Sequence, residues 1–166
     1  MIILGVDPGT AITGYGVIEY TGNKFIGYEC GVIQTQASLS LPERLGIIYK
    51  KLNDIVERYN PQHMAVEELY FSKNTRTALA VGQARGVVLL TGVQSNLFVG
   101  EYTPLQVKQS VVGYGRAKKE QVQRMVATIL GLEKVPTPDD AADAYAVAIC
   151  HAHSYKLNSL ISGEIR

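Results

Sequence analysis

The chain has 166 residues, of which 46% are apolar and 19% are charged, against roughly 25% charged residues in an average globular protein. This composition excludes a disordered chain and predicts one compact domain that buries its own core. The formal net charge of +1 argues at first against a dedicated nucleic-acid binder, because such proteins usually carry a clear basic excess.

The first third of the chain predicts three strands followed by a helix. An apolar β-branched run stops at Asp7-Pro8-Gly9, and the next two runs are joined by the turn Thr21-Gly22-Asn23, which favours an antiparallel meander. Apolar residues then recur every three or four positions, with Pro42 in the first turn, as expected of an amphipathic helix. The strands are predicted at residues 2–6, 12–20 and 25–35, and the helix at residues 41–59.

Strands and helices alternate in the rest of the chain, which predicts a mixed α/β sheet flanked by helices. Thr103-Pro104 opens one helix in the favoured order of cap and proline, and Thr137-Pro138-Asp139-Asp140 caps the last helix. We assign residues 1–156 to one domain and residues 157–166 to a C-terminal tail. The strands are predicted at 63–67 and 97–102, and the helices at 77–91, 103–112, 119–130 and from the last cap to about 155.

The cysteines and the apolar runs predict a soluble, cytoplasmic protein. Cys30 and Cys150 lie far apart, without a CxxC pair or the Cys/His spacing of a zinc site, which favours a reduced compartment. The N-terminus lacks the basic region of a signal peptide, and no apolar run approaches the roughly 20 residues of a membrane span. We therefore expect no membrane partner.

Four carboxylates lie at the edges of apolar elements. Asp7 and Glu67 each end a predicted strand, and either one alone is as readily a turn or capping acid as a functional group. Asp140 and Asp143 are three apart and share one helix face, where like charges repel. A cap needs only one acid, and Asp139 is available for it, so the pair favours a functional site.

Carboxylate oxygens are the ligands preferred by hard divalent cations, so these acids suggest a site for Mg²⁺ or Mn²⁺. Two such ions roughly 3.5–4 Å apart would suit phosphodiester hydrolysis, with one preparing a water for attack and the other stabilising the leaving oxygen. The spacing in one sequence leaves open whether the four acids converge.

Five stretches, taken in order, make the chain similar to a known family. They are GVDPGTAITGYGVI, AVEELYF with SKNT following, GQARGV, QVKQSVVGYGRAKKEQVQ and DDAADAYAVAICHAH, spread over residues 2 to about 153. Together they resemble the RuvC family of bacterial crossover junction endodeoxyribonucleases. The resemblance implies an RNase H-like α/β fold, with a central five-stranded mixed β-sheet flanked by α-helices.

The same resemblance implies an activity and a site. The family's acidic tetrad falls on Asp7, Glu67, Asp140 and Asp143, which leaves Glu68 and Asp139 outside it. The implied activity is resolution of Holliday junctions, in recombination and repair, by Mg²⁺-dependent nicking of two opposed strands. The nicks leave 5′-phosphate ends that can be ligated. Two Mg²⁺ ions per site are expected, and Mn²⁺ is a possible substitute.

The residues 69–119 carry seven basic side chains and one acid, so this stretch has a local charge of +6 and the rest of the chain −5. Such a stretch suits phosphate contacts, although a solvated surface remains the alternative. The resemblance adds Lys108 and Lys119 to the DNA-binding and catalytic residues. Tyr70 or Phe71, on the loop after Glu67, would stack on an unpaired base, and Tyr70 matches the family's aromatic position, whereas Phe71 is as readily an anchor of the loop in the core. The predicted DNA contacts are Tyr70, Phe71, Lys73, Arg76, Lys108, Arg116, Lys118 and Lys119.

Small residues recur every four positions at Ala78, Gly82 and Gly86, which allows close approach of another helix. These small residues pack either against the chain's own sheet or, as the resemblance implies, against the same helix of a second copy in a homodimer. The twofold symmetry of such a dimer suits a junction with two equivalent strands. The resemblance also implies the branch-migration complex of RuvA and RuvB as a partner. His151 and His153 are two apart and point in different directions on a helix, so no metal pair is expected.

Three other functions compete with this one. Asp7 and Thr10 before a β-turn are similar to the phosphate loop of actin and sugar kinases, but that class needs two such domains in a much longer chain. No GxxxxGK[ST] phosphate loop is present. A non-catalytic junction-binding protein, and an RNase H-like nuclease that acts on another structured nucleic acid, remain open.

Overall fold

The structure, a computed structural model, describes residues 1–69 and 75–162, except the side chains of residues 75–76 and 158–162. Strands and helices follow one another in the order that the sequence predicts. The elements are β1 (Ile2–Asp7), β2 (Ile12–Tyr20), β3 (Phe25–Gln34), α1 (Leu41–Tyr59), β4 (His63–Glu67), α2 (Thr75–Gln94), β5 (Phe98–Tyr102), α3 (Pro104–Val112), α4 (Lys119–Leu130) and α5 (Asp139–Ser162).

The strands form one five-stranded mixed sheet in the order β3-β2-β1-β4-β5. Strand β2 pairs antiparallel with β1 and β3, which is the predicted meander, whereas β4 runs parallel to β1 and β5 runs parallel to β4. The predicted five-stranded mixed sheet is therefore confirmed. Because β1 and β4 are parallel neighbours, their C-terminal ends meet at one edge of the sheet.

Two apolar clusters cover the two faces of the sheet. Ile3 and Ala65 belong to the cluster that packs against α3, α4 and α5, whereas Leu4 and Val66 belong to the cluster that packs against α1 and α2. Side chains alternate between faces along a strand, so the odd-numbered positions of β1 and β4 face α5. Asp7 and Glu67 thus lie on the α5 face.

Helix α5 approaches β1 and β2 closely because glycines line its path. A Cβ added at Gly5 would overlap the carbonyl oxygen of Ala144, and one added at Gly14 would overlap the carbonyl oxygen of Asp140. Gly14 also pairs with Asp7 in the β1–β2 register. The absence of side chains at these positions therefore lets the start of α5 lie directly against the end of β1.

Some boundaries differ from the prediction. Helix α2 begins at Thr75 and ends at Gln94 rather than spanning 77–91, and β5 begins at Phe98. Helix α5 continues to Ser162, because no glycine or proline interrupts the sequence before that point, so residues 157–162 are helical. No helix in the described ranges is long and apolar enough to cross a bilayer.

Candidate active site

The site is built first from the ends of two parallel strands. Val6 pairs with Val66 in the β1–β4 register, so the next residues, Asp7 and Glu67, leave their strands side by side. Glu67 raises the pKa of Asp7, whereas Asp7 opposes the rise in the pKa of Glu67, as expected when neighbouring carboxyl groups share one proton.

Helix α5 supplies the other two acids. Its first turns place Asp140 and Asp143 where their charges act on Asp7, as the predicted tetrad requires. Asp143 is also held by Lys119 at the start of α4, with 2.9 Å between the lysine Nζ and the Asp143 Oδ2. The same Nζ lies 3.4 Å from the Asp139 Oδ2. Lys119 therefore links α4 to the acidic end of α5.

The electrostatics of the cluster favour protonation. Burial, followed by the charges of Glu67, Asp143 and Asp140, raises the pKa of Asp7 to about 8. Burial and the Asp143 charge raise the pKa of Glu67, against the opposing effects of Asp7, Lys108 and Lys119. Burial also raises the pKa of Asp143, although the bond to Lys119 opposes the shift. The acids repel one another, so the cluster favours an added positive charge.

Two adjoining cavities open onto these acids, and both are lined by Glu67 and Pro104. The first, of about 250 Å³, is lined by Asp7, Pro8, Glu68, Leu69, Val81 and Arg85 as well. The second, of about 160 Å³, has an apolar floor that includes Val107 and Val122, with Lys108, Lys119 and Asp143 among its lining residues. Glu67 thus stands between an acid-rich cavity and one lined by two lysines.

The donor set fits a hard divalent cation in its chemistry, since three crowded carboxylates have raised pKa values and all are oxygen ligands. In the described part of the chain, however, no three His, Cys, Asp or Glu side chains stand close enough together to hold one ion. The Asp143 carboxylate is also engaged in its ion pair with Lys119. An ion held directly by three of these side chains would therefore require them to move towards one another.

Of the predicted basic contacts, Lys108 and Lys119 line the second cavity. Lys108 on α3 is half-buried, and the exposed Arg116 and Lys118 precede Lys119 in the turn between α3 and α4. Lys118 is the N-cap residue of α4, and its backbone N–H donates to the Gln121 Oε1 at 2.8 Å. Tyr70, Phe71 and Lys73, and the side chain of Arg76, lie outside the described residues.

The small-residue stripe of α2 runs from the interior to the surface. Ala78 is buried, Gly82 is half-buried and Gly86 is exposed, with open space where its Cβ would lie. Beside Gly86, the outward face of α2 presents large apolar side chains, with Leu79 66%, Leu90 51% and Val93 64% exposed. Helix α2 thus carries an apolar face that the described residues leave uncovered.

The histidines have separate partners, as their spacing predicts. The buried His151 ring lies between His63 and Tyr102, with 2.8 Å from its Nε2 to the His63 Nδ1 and 2.9 Å from its Nδ1 to the Tyr102 hydroxyl. His153 instead contacts the Ser110 hydroxyl at 3.1 Å. Burial lowers the pKa of His151 to about 4, so its ring is neutral at pH 7.

Three residues near the acids were not among the predicted site residues. Arg85 and Glu68 line the first cavity, and Asp139 contacts Lys119. Arg85 is the one charge between Thr77 and Gln94 in the sequence, but only the packing of α2 shows that its side chain faces this cavity. The position of Asp139 in the sequence indicates a helix cap, and a capping role does not predict its ion pair with Lys119.

Comparison with known proteins gives the same family as the motifs. Residues 3–151 match the family described as Crossover junction endodeoxyribonuclease RuvC. The protein of that name from Pelotomaculum thermopropionicum is 63% identical over 93% of this chain and 94% of its own length. The one from Desulforamulus reducens is 58% identical over the whole of both chains.

Solved structures agree with the fold. The Thermus thermophilus RuvC structure is 36% identical, covers 95% of this chain and 97% of its own, and superposes with a TM-score of 0.88. A structure of the same protein in complex with Holliday junction substrate covers 96% and 97% and gives 0.91. Sequence and structure together show that the chain belongs to the RuvC family of crossover junction endodeoxyribonucleases.

Proposed function

We propose that this protein is a structure-specific endonuclease that resolves Holliday junctions by paired nicking of two opposed strands, leaving ligatable 5′-phosphate ends during recombination and repair. One observation carries the proposal: β1, β4 and α5 bring Asp7, Glu67 and Asp143 into one electrostatically coupled cluster beside Lys108 and Lys119. Membership of the RuvC family supports it, as does the likeness to a relative solved with junction DNA.

The four acids would hold divalent cations, Mg²⁺ in the first place, with two per site expected and Mn²⁺ as a substitute. When bound, such ions supply positive charge to the reacting phosphate and acidify water. The residues' own part is to bind and orient. Asp7 and Glu67 approach from the sheet, whereas Asp140 and Asp143 approach from α5, so the ligands surround the position from two sides.

Lys119 and Lys108 would place positive charge on the DNA side of the same site. Lys119 holds Asp143 while the site is free, and a DNA phosphate offers it a second anionic partner. Arg116 and Lys118 continue this basic surface through exposed positions. Base stacking by Tyr70 or Phe71, and phosphate contacts by Lys73 and Arg76, stay predictions about residues or side chains outside the described part.

Self-association through α2 would give the two sites that paired nicking needs. The outward face of α2, with Leu90 and Val93 exposed beside Gly86, supports a twofold dimer in which two such helices pack together. Gly86 would allow the close approach, whereas Ala78 packs inside its own chain and Gly82 lies between the two. Leu90→Glu should yield monomers in sedimentation, and an unchanged sedimentation coefficient would exclude this face.

The cellular location and the branch-migration partner are proposed from membership of the RuvC family alone. A junction resolvase would act on DNA in the cytoplasm and receive its junction from the RuvA and RuvB branch-migration complex. We expect the purified chain to bind and cut junctions without that complex, because the acids and the basic surface both belong to this chain.

The decisive experiment compares synthetic DNA substrates at equal concentration with Mg²⁺. The unaltered chain should nick a four-way junction symmetrically and leave a linear duplex intact, and Asp7→Asn should bind the junction without cutting it. Asp54→Asn is the matched control, because it neutralises an exposed acid on α1 and should cut normally. Binding without cutting by the unaltered chain would show a non-catalytic junction protein, and preferred cutting of another structured substrate would show a different nuclease.

A further inference from the structure

Helix α2 directs the Arg85 side chain towards the carboxylate site. Between Thr77 and Gln94 the sequence has no charged residue except Arg85. The Arg85 side chain is only 21% exposed, and it lines the same cavity as Asp7 and Glu67, one turn after Val81, which lines it too. An arginine in such an apolar helix costs desolvation, so its burial at this place calls for a partner.

That partner is Glu101 on strand β5, whose Oε2 forms an ion pair with the Arg85 Nη2. Glu101 pairs with Val66 in the β4–β5 register, and the following residue, Tyr102, pairs with Glu67. The Tyr102 carbonyl also accepts the Glu68 N–H at 2.8 Å. The ion pair thus attaches α2 to β5 next to the residues that set the backbone around Glu67.

The attachment matters because β5 is one of the two edge strands of the sheet. An edge strand is held by backbone hydrogen bonds on one side only, so its position at the open side depends on side-chain contacts. Glu67 is the last residue of β4, and it stands beside Asp7 only while the ends of β1 and β4 keep the Val6–Val66 register. A shift of β5 relative to α2 would act on the end of β4 through the Tyr102–Glu67 pair and the Glu68–Tyr102 backbone bond, and in this way would disturb the position of Glu67.

We propose that Arg85 is a positioning residue for the carboxylate site, which holds the Glu67 end of β4 in place through its ion pair with Glu101. This inference rests on the proposed function, since it assigns Arg85 a role in the geometry of the same site. Arg85 acts through Glu101 and the β4–β5 pairing, and it need not touch DNA or an ion itself.

The sign of one measurement separates positioning from simple charge. If Arg85 acted only through its charge, its removal would relieve repulsion of cations and Mn²⁺ would bind more tightly. If Arg85 positions Glu67, its removal displaces a ligand and Mn²⁺ binds more weakly. Loss of a residue that orients a metal ligand typically weakens metal binding by about 10-fold to 100-fold. The two roles thus predict opposite shifts.

The experiment titrates the full chain with Mn²⁺ alone by calorimetry, and measures junction affinity and single-turnover nicking separately. Arg85→Met and Glu101→Gln should each weaken Mn²⁺ binding about tenfold and slow nicking, with junction affinity kept within about threefold. The double variant Arg85→Met/Glu101→Gln should lose no more Mn²⁺ affinity than the single variant with the larger loss, because both changes break the same contact. The exchanged pair Arg85→Glu/Glu101→Arg should recover at least part of the loss.

Arg58→Met is the matched control, since Arg58 forms a helix-to-strand ion pair with Glu29 at 3.1 Å among residues outside both cavities of the site. It should leave Mn²⁺ binding unchanged. Tighter or unchanged Mn²⁺ binding in Arg85→Met, or additive losses in the double variant, would overturn the inference, as would an unaltered chain that binds no Mn²⁺. If Arg85→Met does not fold, Glu101→Gln and the exchanged pair still decide. A chain that shows the Mn²⁺ coupling but cuts no junction would refute the proposed function alone.

Discussion

The Nζ of Lys119 lies 2.9 Å from the Oδ2 of Asp143, so a lysine from α4 neutralises an acid of the candidate metal site. The contact is half-exposed, because the Lys119 side chain is 49% exposed, which leaves the ammonium able to exchange partners. The bond to Asp143 raises the pKa of Lys119 against the effect of its burial, so the lysine stays charged at neutral pH. A divalent cation and this lysine therefore compete for the same carboxylate.

Lys119→Met should consequently bind Mn²⁺ several-fold more tightly than the unaltered chain, as measured by calorimetry without DNA. The same change should weaken junction binding and reduce the slope of log affinity against log salt by about 1, as expected when one phosphate contact is lost. Lys134→Met, on the loop after α4, is the control and should alter neither quantity. Unchanged Mn²⁺ affinity would mean that Lys119 does not compete at Asp143.

Asp7→Asn should stabilise the metal-free chain at alkaline pH. The pKa of Asp7 is raised to about 8, above its unfolded value of about 4, so the unfolded state ionises first as the pH rises. Stability is then lost progressively between about pH 4 and pH 8. The asparagine variant removes this contribution, and we expect a gain of roughly 1–3 kcal/mol at pH 8 in a chelator, less than the full shift because Glu67 shares the proton.

Denaturant unfolding at pH 4 and at pH 8 checks this prediction. The two chains should be nearly equal at pH 4, where Asp7 is protonated in the folded state and about half protonated in the unfolded state, so little of the unfavourable contribution has developed. Adding Mn²⁺ at pH 8 should stabilise the unaltered chain more than the variant. Equal stabilities at both pH values would show that Asp7 carries no unfavourable charge in the fold.

Gly14→Ala should disrupt the approach of α5 to the sheet. The added Cβ would overlap the Asp140 carbonyl oxygen, which belongs to the backbone and cannot turn aside, so we expect a loss of about 3 kcal/mol or more and slower nicking. Gly46→Ala is the matched control. Gly46 lies within α1 with open space around it, so alanine there should stabilise by up to about 1 kcal/mol through helix propensity. Similar effects at both glycines would contradict the proposed contact.

His151→Leu should flatten the acid limb of the stability curve. The pKa of His151 is lowered to about 4 by burial and by the neighbouring His63, whereas its unfolded value is about 6.5. Its contribution is therefore complete above about pH 6.5 and is lost as the pH falls towards 4, where the unfolded state binds the proton more readily. At pH 7 the variant should lose about 1–3 kcal/mol, because the Tyr102 and His63 partners are left unpaired.

The slope of unfolding free energy against pH between 6.5 and 4 is the measurement. His63 and His153 also have lowered pKa values caused by burial, so a residual slope is expected in the variant. A slope as steep as that of the unaltered chain would place the acid sensitivity elsewhere.

Patterns along the chain predict the order of the elements, the mixed sheet and the four candidate acids. Local signals suffice for this, since apolar periods, Pro42, Thr103-Pro104 and the turn at Gly22 act over a few residues. The family motifs then supplied the fold name and the tetrad. The end of α5 was misplaced because the sequence contains no strong stop before Gly163.

Which side chains meet depends on how the elements pack. The parallel β1–β4 pairing sets Asp7 beside Glu67, and glycines without side chains let α5 bring its acids to that edge. The ion pairs of Lys119 with Asp143 and of Arg85 with Glu101 join separate elements, so no spacing along the chain reveals them. The physical reason is that local propensity acts over one or two turns, whereas electrostatic coupling depends on distances that only the packed fold sets.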